Sequence, residues 1–102
     1  MIQVTRTFTR PNVSIPWHDE ANSFALFRDH ASNTYFKTNN IILSQSPISD
    51  DLLSRTFLQI WTSQDYHSEW LNDPYLLEYW TLRDTYNAFV GIIAEDRIIT
   101  AI

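Results

Sequence analysis

Apolar and polar residues alternate over residues 2–10. Ile2, Val4 and Phe8 fall in one phase and Gln3, Thr5, Thr7 and Thr9 in the other, which predicts a half-buried strand on a Thr-rich pleat. Pro11 and Pro16 punctuate an extended link. The period then lengthens: Ala21, Phe24, Phe27 and Ala31 recur at helical spacing, and Asp19 and Glu20 suit the positive end of a helix dipole, so a helix is predicted over 19–31. Residues 32–40 are polar and turn-rich. A short strand follows at 41–46, with hairpin chemistry at 47–51.

Residues 52–61 predict a third strand, the most central. Leu58 and Ile60 lie on one face and Phe57 and Trp61 on the other, so both faces want cover. Thr62, with Asp65 three residues on, matches a capping box, and the helix after it turns Tyr66, Trp70 and Leu71 inward. Asn72-Asp73-Pro74 interrupts it. Asp73 caps a new helix with Pro74 in its first turn. That helix carries Leu76, Leu77, Trp80 and Ala88 and ends near Gly91. Residues 92–102, rich in Ile, predict a last strand. The order β-α-β-β-α-β is the ferredoxin-like plan: one α+β domain over 1–102, a four-stranded antiparallel sheet with both helices on one face. Phe57, Trp61 and the C-terminal Ile residues cannot all lie under those helices. A homodimer packed through the sheet face is therefore expected.

Composition narrows the chemistry. Of 102 residues 15% are aromatic, which excludes disorder, and the absence of Cys excludes disulfides and thiolate catalysis. A single Gly excludes a Gly-rich phosphate loop. The net charge is −5 and no two basic residues are adjacent, so no nucleic-acid partner is expected. Residues 1–10 lack the apolar core of a signal peptide, and no apolar run approaches the ~20 residues of a membrane span. The chain reads as a cytoplasmic protein with no membrane partner.

The stretch Phe57-Leu58-Gln59-Ile60-Trp61-Thr62-Ser63, with Tyr66 and Trp70-Leu71-Asn72-Asp73-Pro74 after it, resembles the dimeric α+β-barrel superfamily. It is most similar to the antibiotic-biosynthesis-monooxygenase-like branch, where a strand ending in W-x-S enters a helix carrying a W-L pair. The resemblance implies a dimeric α+β barrel and a monooxygenase-like protein. Its activity would be that of a cofactor-independent oxygenase or isomerase on a small aromatic compound. The haem-degrading members combine a helix Trp with an Asn on the first strand and a His farther along. Trp70 stands at the Trp position here, but Thr5 takes the strand position and no His follows His67, so haem degradation is not expected.

No cofactor and no metal are expected. His18-Asp19-Glu20 and Asp29-His30 read as solvated helix ends, and adjacent residues at a helix start point in different directions, where a metal site needs three or four converging ligands. No Ser sits in a Gly-flanked elbow, and Asp50 and Asp51 suit a turn. The aromatic set is the candidate site. Trp70 and Tyr66 are expected at a cleft between sheet and helices, with Tyr79 and Arg55 adding polar tips around a small apolar or aromatic ligand. His67 is the candidate catalytic base, since imidazole titrates near neutrality. The alternative is that the Trp and Tyr residues fill the core and His67 is half exposed, in a non-catalytic ligand-binding or assembly protein.

Overall fold

The computed structural model describes residues 1–21 and 25–102. Its strands are β1 (Ile2–Thr9), β2 (Ile41–Gln45), β3 (Ser54–Trp61), β4 (Ile93–Ala94) and β5 (Ile98–Ala101). They form one antiparallel sheet in the order β2-β3-β1-β4, with β5 also paired to β1. The helices are α1 (His18–Ala21), α2 (Ala25–Ala31), α3 (Gln64–Asn72) and α4 (Pro74–Val90). The architecture is the expected α+β ferredoxin-like one. Two strands differ from expectation. The first strand shares the centre with the third, because it pairs on both edges. The last strand is two short pieces, with the Glu95 amide still reaching the Thr7 carbonyl (2.9 Å) before the break that carries Arg97.

Register decides which residues the helices cover. Ile2 pairs with Trp61 and Phe8 with Arg55, and directly opposed residues share a face. Buried Ile2, Val4 and Phe8 therefore bring Trp61 and Phe57 under the helices. Trp61 is fully buried and Phe57 packs against Phe8 and Trp17. Of the C-terminal Ile residues, Ile92 is buried and Ile93, Ile98, Ile99 and Ile102 are exposed, with register putting Ile93 and Ile98 on the uncovered face. The uncovered face holds them with Leu43, Leu58, Ile60 and a hydroxyl ladder, Thr7–Thr56 at 2.9 Å and Thr9–Ser54 at 3.1 Å.

The helical segments are offset from their predicted positions in instructive ways. Ala31 is buried and Phe27 packs on the core as expected, but Ala21 is exposed; Phe24 lies outside the described residues. Residues 32–36, read as a polar turn, form a π-helical turn that buries Tyr35. Ser63, not Thr62, caps α3: its hydroxyl accepts from the Tyr66 amide at 3.3 Å. Thr62 instead donates its amide to the Asn40 carbonyl. In the helix so placed, Tyr66 is exposed while His67 and Trp70 are buried. Asp73 caps α4 by accepting from the Tyr75 amide at 2.9 Å, and Gly91 ends it at φ +84°, where a Cβ is strained. The inward stripe of α4 runs Leu76, half-buried Trp80, Arg83, Asn87, while Leu77 and Ala88 face out. Two of its four members are polar, which an apolar-periodicity search passes over.

Candidate functional site: an arginine-rimmed aromatic cavity

A cavity of about 400 Å³ opens between the sheet and the helices, within the usual size range for small-ligand sites. β1 supplies Val4, Arg6 and Phe8 from one phase of its alternation; β3 supplies Phe57 and Gln59. The helices close it with Phe27, Trp70, Tyr79 and Trp80. Phe27 stacks on Tyr79 with ring centroids 3.8 Å apart, and Trp70 meets Trp80 at 5.4 Å. These rings make flat, rigid walls.

Of the sequence-predicted site residues, His67, Trp70 and Tyr79 come together on this cavity wall. Tyr66 does not: it is exposed and outside the lining, one residue out of phase with His67. Arg55 also lies outside the lining. Its guanidinium grips Asp19 through two bonds (2.7 and 3.0 Å) and touches Ser46, and Asp19 is the residue that reaches the cavity. His67 is buried edge-on to Trp61 (5.3 Å), and burial, helped by the Arg97 charge, lowers its pKa. The imidazole is thus neutral at neutral pH and holds a lone pair for a proton.

His18 is a correction. Read as part of a solvated helix end, it is buried against Phe8 and Phe57, with Nε2 2.7 Å from Tyr79 Oη. Desolvation takes its pKa down to about 4, against the opposing pull of Asp19. Burial, then the Asp19 charge, pushes the Tyr79 phenol up to about 12. Burial favours a neutral Asp19, but the Arg55 fork overrides it and holds the carboxyl below the usual range. His30 also differs from expectation: Nε2 sits 2.6 Å from Asp73 Oδ2, which accepts from the buried Tyr35 hydroxyl at 2.6 Å as well. That cluster ties the π-helical turn to the α3–α4 corner and lies outside the cavity lining.

Sequence reasoning missed Arg6, Arg28, Arg83 and Arg97, all cavity residues. Arg6 was readable, since it sits between Val4 and Phe8 in the buried phase of β1. Arg83 and Arg97 enter through tertiary placement alone. Among the described residues no group of three or more His, Cys, Asp or Glu can hold a metal ion, and no helix is long and apolar enough to cross a membrane.

The ferredoxin-like α+β fold is shared with solved structures. SnoaB from Streptomyces nogalater, described as a cofactor-independent oxygenase, superposes with TM-score 0.66 at 15% identity, covering 99% of this chain and 91% of SnoaB. A dimeric ferredoxin-like protein from an uncultured marine organism gives TM-score 0.56 at 12% identity, over 99% of this chain and 95% of that one. A protein from Deinococcus radiodurans provisionally assigned as an antibiotic biosynthesis monooxygenase gives 0.52 at 11%, over 98% and 88%. No family model matches the sequence, and no curated protein matches it.

Proposed function

We propose that this chain is a cofactor-independent oxygenase of a small, planar aromatic compound, working as a homodimer joined through the uncovered sheet face. The observation that carries the reading is the cavity: aromatic-walled, ligand-sized, and holding a buried neutral imidazole at His67. The shared fold with a protein described as a cofactor-independent oxygenase supports it. A substrate oxidised without a cofactor must itself reduce O2. His67 takes a proton from an acidic phenolic substrate, and the electron-rich anion passes electrons to O2. Oxidation of a ring methylene then balances as CH2 + O2 → C=O + H2O, with the methylene losing four electrons and O2 gaining them. Dry walls protect the anion from reprotonation by water.

Oxygen uptake with anthrone as the probe tests this. The wild-type protein is expected to exceed the buffer rate. His67→Ala is expected to lose at least about a hundredfold of the excess, the lower range for a general base, while anthrone still quenches Trp fluorescence. Uptake at the buffer rate with quenching intact refutes the oxygenase and leaves a binding protein; absence of both refutes the pocket. For the dimer, light scattering that shows a 12.0 kDa particle at micromolar concentration removes the sheet-face pairing. Leu58→Glu is expected to produce that particle from the wild-type dimer.

A further inference from the structure

The charge of the cavity contradicts the charge of the chain. The protein carries a net −5 with only seven Lys and Arg. Four of those seven, Arg6, Arg28, Arg83 and Arg97, line this one cavity. The acid in the described lining, Asp19, is already occupied by Arg55. Three of the arginines converge from separate elements: Arg6 from β1, Arg83 from α4 and Arg97 from the β4–β5 link. The Arg6 and Arg83 guanidinium carbons both sit over the Phe8 ring, 5.1 and 5.7 Å from its centroid.

These charges are poorly compensated. Arg83 Nε donates to Asp84 at 2.9 Å, but Asp84 is mostly exposed to water. Arg6 Nε donates to a neutral acceptor, the Glu95 carbonyl, at 3.0 Å, and its Nη1 is buried with no hydrogen-bond partner among the described residues. Burial and then the Arg6 and Arg83 charges push the Arg97 pKa down to about 10. Burial, and Arg83 next, lowers that of Arg6, against a smaller opposing pull from Asp84 and Asp96. Arg83 is buried and Arg6 and Arg97 are half-buried, and like charges gathered at such a wall are costly unless an anion completes the site.

We infer that the cavity is an aromatic carboxylate site: Arg6, Arg83 and Arg97 hold the ligand's carboxylate, and its ring lies along Trp70 and Trp80. The inference rests on the proposed reading that the cavity takes an aromatic ligand, and it adds the ligand's charge. A carboxylate matches guanidinium forks in shape and sign, and its two oxygens offer acceptors to donors such as Arg6 Nη1. The aromatic walls select against a bare inorganic anion.

Calorimetric titration with 2-naphthoate and with neutral, isosteric 2-naphthamide tests the inference. The carboxylate is expected to bind about tenfold or more tightly, the scale of one charged hydrogen bond. Arg97→Gln, in a strand link and outside the core clusters, is expected to cost naphthoate about tenfold and leave naphthamide unchanged. Arg6→Gln, checked for an unaltered melting curve, is expected to do the same. Equal affinity of the two probes overturns the carboxylate assignment and leaves the aromatic pocket standing. Failure of both to bind overturns the pocket and the inference with it. Inorganic phosphate that displaces naphthoate at equal concentration overturns the aromatic requirement and makes the arginines a simple anion site.

Discussion

Acid should weaken this protein well before its carboxylates protonate, and His18 sets the window. Its imidazole is lowered from the ordinary 6.5 to about 4, first by burial among Phe8, Phe57 and Tyr79. Above pH 6.5 the imidazole is neutral in both folded and unfolded chains, and the stabilisation is complete. As pH falls through 6.5 the unfolded chain binds a proton that the folded chain refuses. Each pH unit then removes about 1.4 kcal/mol until the folded imidazole protonates, for a total of about 3 kcal/mol. His67 is lowered too, by burial and Arg97, and acts in the same direction. Asp19 and Asp73, held below the usual carboxylate range, lose their contribution only at lower pH. Relief of the net negative charge on acidification works the opposite way, so the comparison must be with a variant. Urea melts between about pH 7.5 and about pH 4.5 are expected to lose stability steeply in the wild type and less so in His18→Gln, whose amide still meets the Tyr79 hydroxyl. An NMR resonance of the His18 ring that titrates near its ordinary value, or equal slopes in the two proteins, would refute the reasoning.

Asp73→Ala removes the α4 cap and strands the buried Tyr35 hydroxyl, so a loss of about 3 kcal/mol is expected in denaturant melts, whereas Tyr35→Phe costs about 1 kcal/mol. Equal costs would mean that the cap contributes nothing beyond the Tyr35 bond. Trp61→Ala opens a cavity beneath the helices where the ring is fully buried, and about 3–5 kcal/mol is expected, visible as a lowered melting midpoint at any concentration. Leu52 sits at φ +64°, in left-handed backbone that costs a branched side chain about 1–2 kcal/mol. Leu52→Gly is expected to raise stability by about 0.5–1 kcal/mol after glycine's own entropy loss, and a lower midpoint would show that the exposed side chain packs more than its accessibility implies.

The frame was legible because its signals are local. Alternation over residues 2–10, the Asp73-Pro74 start and the Gly91 stop each fix a strand or helix with no knowledge of the rest of the chain. Cover was harder to read, because facing is set by register across strands. Nothing within 52–61 says that Trp61 opposes Ile2, and that pairing alone sends Trp61 and Phe57 to the helix side. Capping has the same limit: Thr62 and Ser63 are both accepted cap residues by type, with Ser only somewhat preferred. The Asn40 carbonyl claims the Thr62 amide, and α3 therefore starts from Ser63. In the frame that results, His67 lines the cavity and Tyr66 faces water.

The least legible part was the polar half of the site, for a reason that bears on how such sites arise. A core is found by looking for apolar residues in phase, so a charged residue in phase is discounted as noise. Arg6 lies in the buried phase of β1 and Arg83 in the inward stripe of α4, each flanked by aromatic rings that line the cavity. A charge kept at such a position costs stability, since an apolar side chain there would pack without desolvating a guanidinium. Only three-dimensional placement shows that these exceptions to the pattern meet at one wall, joined by Arg97 from a strand link that carries no periodicity at all. Where in-phase charges of one sign converge on a cavity, the apolar pattern has been interrupted for something other than folding. Here that is a place for a negative charge which the chain itself, for all its excess of Asp and Glu, does not fill among the described residues.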